Sequence, residues 1–347
     1  MDVGEFDFDL PPELIAQEPP AERQAARLLY LDRASGSATH THIAALPDLL
    51  RAGDLVVVNN TRVFPARLIG RRVPSGGVVE CLLIWGQTPA LWEALVHPGQ
   101  KLKPGARLLF EGLHTLHGEI VERGSFGRRL VRLWTEDGST VDAAVDAIGH
   151  VPLPPYIKRE DQYADRERYQ TVFARARGSV AAPTAGLHFT PGLIAALKAR
   201  GVQLAEITLH VGYGTFQPVR VDRVEDHRLQ SERYEIDAGT AAAIQSARDE
   251  GRRVIAVGTT TTRTLEAVAG MHDGRVVAGV GATDLFIYPG FEFRLVRGLL
   301  TNFHMPRSSL LMLVSAFAGR AAVRSAYDAA IAERYRFYSY GDAMLIL

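Results

Sequence analysis

Apolar positions fall into two textures along the chain. Leu55-Val56-Val57-Val58 is an unbroken apolar run bounded by polar residues. A run so short and without alternation predicts a strand over 54–58 buried on both faces. From Arg62 to about Ile148, short β-branched runs recur at 77–84, 106–110 and 116–121. Pro-Ser-Gly-Gly, His-Pro-Gly, Lys-Pro-Gly and Arg-Gly-Ser turns separate them, and no helical period intervenes. This spacing predicts a small all-β barrel or sandwich, closed off by the stiff connector Val151-Pro152-Leu153-Pro154-Pro155.

Beyond the connector the period changes. Thr190-Pro191 supplies an N-cap and a proline at the first helical position, predicting a helix over 192–200 that stops at Gly201. Strands are expected at 202–208, 253–257 and 285–288, and a helix over 240–250 capped by Asp237. The 310–317 segment is apolar all round and predicts a core helix; Val323, Tyr327, Ala330 and Ile331 form one stripe of a last helix. The expected architecture is α/β, a barrel-like catalytic domain of residues 1–61 and 149–347 with a small all-β barrel domain inserted at 62–148.

A chain of 347 residues, 47% hydrophobic and 22% charged, is globular and long enough for two domains. Its longest apolar stretch, 310–318, is about half of what a membrane span needs. The acidic N-terminus lacks a signal pattern, so a cytoplasmic protein without a membrane partner is expected. The single cysteine, Cys81, excludes an internal disulfide framework and a protein-bound iron–sulfur cluster. No His-x-x-x-His pair accompanied by an acid stands out, so no metal site is expected. The net charge of zero hides an asymmetry: residues 1–61 carry −6 and residues 62–134 carry +6. The middle segment is therefore able to present a basic face to a phosphate backbone.

Five polar segments lie at the ends of expected strands or before expected helices, where open α/β sheets bind ligands. Asn59-Asn60-Thr61-Arg62 follows the first strand and ends in a guanidinium suited to carboxylate or phosphate. Thr184, Gly186 and His188 share a loop of small residues ahead of a helix. His210, Gly212, Tyr213, Gly214 and Thr215 follow the 202–208 strand; the third glycine of a dinucleotide fingerprint is missing. Thr259, Thr260 and Arg263 belong to a strand-to-helix turn that lacks the Gly-Lys of a P-loop. Asn302, His304 and Arg307 precede the apolar 310–317 helix, where Ser308 is a ready N-cap. Residue types and spacing alone establish an α/β enzyme whose site gathers His, Thr, Asn and Arg, without naming a reaction.

These segments together resemble the S-adenosylmethionine:tRNA ribosyltransferase-isomerase family of queuosine biosynthesis. The resemblance starts at Phe6-Asp7-Phe8-Asp9-Leu10-Pro11 and takes in Asn59-Asn60-Thr61-Arg62 and Leu153-Pro154-Pro155-Tyr156-Ile157. It continues through Ala182-Pro183-Thr184-Ala185-Gly186-Leu187-His188-Phe189, His210-Val211-Gly212-Tyr213-Gly214-Thr215-Phe216 and Thr301-Asn302-Phe303-His304. It ends at Tyr335-Arg336-Phe337-Tyr338-Ser339-Tyr340-Gly341-Asp342. Three positions depart from the family pattern: Gln230 stands in place of a histidine, Arg297 in place of an aspartate and Ala26 in place of a serine.

The resemblance implies transfer and isomerisation of the ribosyl part of S-adenosylmethionine onto 7-aminomethyl-7-deazaguanine at the tRNA wobble position. Epoxyqueuosine-tRNA, adenine and methionine would be the products. S-adenosylmethionine is then a consumed substrate, no other cofactor is needed, and a monomer is expected. His188 and His210 are the acid–base candidates, with His304 as alternate. Thr259, Thr260 and Arg263 are expected to hold the methionine carboxylate; Asn60, Thr61, Arg62, Thr184, Gly186, Gly212, Tyr213, Gly214, Thr215, Asn302, Arg307 and Asp342 complete the candidate site. Arg62, Arg67, Arg71, Arg72, Arg128, Arg129 and Arg132 are expected to grip tRNA phosphates. A class I methyltransferase and a non-enzymatic RNA-binding module are the alternatives.

Overall fold

The computed structural model describes residues 1–125, 127–216 and 219–347, the side chains of Thr215 and Phe216 excepted. Among the described residues the body is an open, mixed nine-stranded sheet. Across it run Gly279–Thr283, Glu232–Ile236, Gln203–Leu209, Leu55–Asn59, Val254–Val257, Val296–Asn302, Ala343–Ile346, Arg27–Leu31 and Ala38–His42. Gln203–Leu209, Leu55–Asn59, Val254–Val257 and Val296–Asn302 are mutually parallel, so their C-terminal ends share one edge.

Side chains alternate across a sheet, so one strand feeds two cores. Leu55 and Val57 pack with Ile244, Leu265 and Val314 of helices on one face. Val56 and Val58 pack with Leu193 and Leu197 on the other. Helices on both faces explain an apolar run without alternation. The expected caps form: Thr190 accepts the Leu193 N–H at 3.1 Å, Asp237 accepts that of Thr240 at 2.8 Å, and Ser308 accepts that of Leu311 at 3.2 Å.

The middle of the chain closes into a six-stranded antiparallel barrel of Arg67–Val73, Val78–Thr88, Leu91–His97, Arg107–Phe110, Leu116–Arg123 and Arg128–Thr135. Leu68, Cys81, Leu83, Ala94, Leu108, Ile120 and Val131 fill it. Gly70 lets two strands pass closely, since a Cβ there would lie 2.3 Å from the Leu109 carbonyl oxygen. The Val141–Ile148 helix adds Ala144 and Val145 to this core. Body and barrel meet where Arg67 and His150 exchange backbone hydrogen bonds of 3.2 and 2.8 Å. At the same seam Val180 of the body joins the barrel core, and the Arg177 guanidinium lies 4.6 Å from the Phe64 ring centroid.

The α/β body with its inserted barrel matches the expectation, but the body's own sheet is not barrel-like. Its two outer strands, Ala38–His42 and Gly279–Thr283, are polar or glycine-rich and mostly exposed, which suits solvated edges rather than closure. The 285–288 strand does not form. There the Leu285 N–H donates to Thr283 Oγ1 at 3.1 Å and the Leu285 carbonyl accepts from Arg263 Nε at 2.8 Å, so side chains take the ladder's place. Among the described residues no single helix is long and apolar enough to cross a membrane.

Candidate active site

The shared edge of the parallel strands gathers the loops singled out in the sequence. Asn59 splices two of them. Its Nδ2 donates to the Leu209 carbonyl at 2.9 Å, and its Oδ1 accepts the N–H groups of Leu209 at 3.1 Å and Thr61 at 3.0 Å. His210 is thereby set beside Thr61, with Nδ1 2.9 Å from the hydroxyl. Burial lowers the His210 pKa; Glu235 opposes this and Arg233 adds to it.

A cavity in the body is lined by Thr184, Thr259, Thr260, Asn302, His304, Ser308 and Tyr338. The Thr259–Met271 helix starts at this wall after Gly258, whose φ of 90° favours glycine. No side chain caps that helix, so its positive end stays available to an anion. Asn302 Nδ2 donates to the Tyr338 carbonyl at 3.1 Å and lies 3.3 Å from His188 Nε2. Asn302 Oδ1 is buried without a hydrogen-bond partner, an acceptor that a ligand amine would satisfy. His304 Nε2 lies 2.8 Å from the Thr301 hydroxyl.

Burial brings the His188 pKa down to about 4 against the pull of Asp342, with Arg336 and Arg23 assisting. Burial alone brings His304 down to about 3. Unfolded histidine takes its proton near pH ~6.5, so between there and about 4 the unfolded chain binds more protons than the folded one. The stabilisation from a neutral His188 is therefore whole above about pH 6.5 and lost as pH falls towards 4. Thermal melts of His188→Asn should lose less Tm than wild type across that window; parallel slopes would exclude this coupling.

A second space lies between barrel and body. Trp85, Glu93 and Arg128 line it from the barrel, and His210, Gly212, Gly214, Gln230, Glu232, Arg233 and Arg263 from the body. Val211 and Leu310 line both spaces, so the two adjoin. Arg263 Nη1 pairs with Glu232 Oε2 at 2.7 Å, and Glu232 Oε1 accepts the Gly212 N–H at 3.0 Å. Arg263 Nη2 is buried without a partner. Arg233 lies 3.8 Å from the Trp85 ring centroid, and Arg128 bridges to Glu93 at 3.2 Å and to Gln230 at 2.5 Å.

The structure thus brings His210, Thr184, Gly212, Gly214, Thr259, Thr260, Asn302, His304 and Arg263 to two adjoining spaces, with Thr61 in contact with His210 and His188 in contact with Asn302. Arg263 does not share a wall with Thr259 and Thr260; it belongs to the second space. Other expected residues do other work. Asn60 accepts from the Thr208 hydroxyl at 2.7 Å, and Gly186 packs on Thr171, whose Cγ2 a Cβ would meet at 2.9 Å. Arg62 is exposed on its strand, and Tyr213 lines a separate groove beside the 151–155 connector. Arg307 is on the surface paired with Asp7. Asp342 is buried and accepts the N–H groups of Arg27 at 2.9 Å and Arg336 at 2.7 Å. The Thr215 side chain lies outside the described residues.

Sequence reasoning missed Glu232, Trp85 and Arg233. Glu232 carried one signal: it occupies the inward register of its strand with Tyr234 and Ile236, where an acid needs a buried partner. Gln230, at a departure from the family pattern, sits at the second space against Arg128.

A family model described as "Queuosine biosynthesis protein" matches residues 3–346. A protein of Heliobacterium modesticaldum named S-adenosylmethionine:tRNA ribosyltransferase-isomerase is 52% identical over 348 positions, covering 100% of both chains. One of the same name from Geobacter sulfurreducens is 51% identical, covering 99% of each. The crystal structure of a Thermotoga maritima S-adenosylmethionine tRNA ribosyltransferase is 40% identical, with a TM-score of 0.56 over 99% of this chain and 100% of that one. Matched from end to end, the chain belongs to the queuosine biosynthesis family, among proteins named S-adenosylmethionine:tRNA ribosyltransferase-isomerase.

Proposed function

We propose that the protein transfers the ribosyl moiety of S-adenosylmethionine to the aminomethyl group of 7-aminomethyl-7-deazaguanine at the tRNA wobble position. Isomerisation then yields epoxyqueuosine-tRNA with release of adenine and methionine. The observation that carries the reading beyond family membership is the adjacency of the two spaces at Val211 and Leu310. The body cavity takes the sulfonium nucleoside, a consumed substrate; the space between barrel and body takes the RNA base. We assign residues 1–61 and 149–347 to catalysis and 62–148 to the RNA side, in a cytoplasmic monomer.

The chemistry distributes the residues. A base must take a proton made acidic by the adjacent sulfonium, and His210, whose pKa burial lowers, precedes Val211, where the two spaces adjoin. His188 and His304 titrate at about 4 and 3, so they serve as neutral hydrogen-bonding groups rather than full proton donors at pH ~7. The attacking amine must be uncharged, and its space is lined by Arg128, Arg233 and Arg263 against Glu93 and Glu232, an excess of positive charge that disfavours ammonium. The methionine carboxylate belongs at the uncapped start of the Thr259–Met271 helix. Thr260→Asp places a competing negative charge there, at a helix position whose dipole favours an acid. It should raise the S-adenosylmethionine KM about 10-fold or more; an unchanged KM in the folded variant would move the carboxylate elsewhere.

Ion pairing narrows the phosphate grip. Arg67, Arg71, Arg128 and Arg132 pair with Glu80, Glu111, Glu93 and Glu119, and Arg129 is buried against the Gly99 and Leu102 carbonyls. Exposed Arg62 and half-buried Arg72, neither of them ion-paired among the described residues, are the better-placed cations. Incubation with S-adenosylmethionine and precursor tRNA should release adenine and methionine in equal amounts. S-adenosylhomocysteine instead would establish methyl transfer, and binding without turnover an RNA-binding role.

A further inference from the structure

We infer that Thr61 is a positioning residue: its hydroxyl holds neutral His210 as the Nδ1–H tautomer, leaving the Nε2 lone pair for the substrate proton. The inference rests on the assignment of His210 as base and adds how the fold prepares it. The Thr61 hydroxyl has two neighbours, the Ala176 carbonyl oxygen at 3.3 Å and His210 Nδ1 at 2.9 Å. A carbonyl only accepts, so both contacts are hydrogen bonds only if the single hydroxyl hydrogen goes to Ala176. What remains towards His210 is an oxygen lone pair, which requires a proton on Nδ1. The hydrogen bond made by one ring nitrogen decides the state of the other.

The Thr61 backbone is held in place. It is fully buried, its N–H donates to Asn59 Oδ1 at 3.0 Å, and it is paired in register with Ala176 on a parallel neighbour. The imidazole is also held from a second side. A Cβ at Gly178 would meet Cε1, Nδ1 and Nε2 of His210 at 2.7, 2.8 and 3.0 Å, so the ring rests against bare glycine backbone. Gly178 and His210 both line the space between barrel and body. Hydroxyl and glycine together fix the tautomer and the plane of the ring, as a base needs if it is to meet its proton at hydrogen-bond distance.

The test reads the tautomer directly. In 15N-histidine-labelled protein at pH ~8, long-range proton–nitrogen correlation should show His210, assigned by its loss in His210→Gln, with its proton on Nδ1. Thr61→Val should shift the ring towards Nε2–H. It should also lower kcat about 10- to 100-fold with little change in the S-adenosylmethionine KM, and Thr61→Ser should recover both tautomer and turnover. Wild-type His210 carrying its proton on Nε2 would overturn the inference whatever the activity. So would a Thr61→Val protein that keeps the Nδ1–H form and its kcat. Full turnover in His210→Gln would instead remove His210 as base, a failure distinguishable because the tautomer is measured independently.

Discussion

Replacing His210 with glutamine is expected to lower kcat about 10²- to 10⁴-fold while leaving the S-adenosylmethionine KM within about threefold. The size follows from what a well-placed proton acceptor contributes, and the kcat–KM split from where the residue sits. His210 lines the space between barrel and body, whereas the nucleoside is assigned to the cavity walled by Thr259, Thr260 and Asn302. Glutamine keeps a polar side chain of similar reach but cannot take a proton. Steady-state kinetics with adenine release as readout decides the matter. Near-wild-type kcat would pass the role to another group, and a KM effect without a kcat effect would make His210 a binding residue.

The largest stability effect is expected at Glu232. Its carboxylate is buried, paired with Arg263 at 2.7 Å and bonded to the Gly212 N–H at 3.0 Å. Glu232→Ala strands a buried guanidinium whose Nη2 already lacks a partner, and removing one member of a buried pair costs about 3–5 kcal/mol. Denaturant unfolding should show that loss. The double variant Glu232→Met/Arg263→Met should regain most of it, since replacing both charges by apolar groups removes the desolvation cost along with the attraction. A single variant as stable as wild type would show that the pair is solvated. Turnover in the stable double variant then reports what the pair does for Gly212 and the space it lines.

Much of the architecture was legible locally. The unbroken run at 55–58, the Thr190-Pro191 cap, Asp237 and the all-apolar 310–317 helix each declare an element by nearest-neighbour chemistry, and each is present. The gathering of the candidate loops was legible too, because parallel strands deliver their C-terminal ends to one edge. What was not legible was the direction of individual side chains. Arg263 stands one helical turn beyond Thr259, and at that depth it meets Glu232 of a sheet strand instead of the threonines' cavity. The basic stretch at 62–134 suggested free arginines, yet cross-strand neighbours neutralise Arg67, Arg71 and Arg128.

From its sequence alone this chain determines the kinds of its main elements, the inserted barrel and the family to which it belongs. Those follow from local periodicity, capping and ordered motifs. Tertiary structure decides what each imidazole touches. Thr61 and His210 are 149 residues apart, and the hydroxyl reaches the ring because the strands that precede them, Leu55–Asn59 and Gln203–Leu209, are neighbours in the sheet. Strand order comes from the simultaneous burial of two cores and a closed barrel, and no single apolar run encodes it.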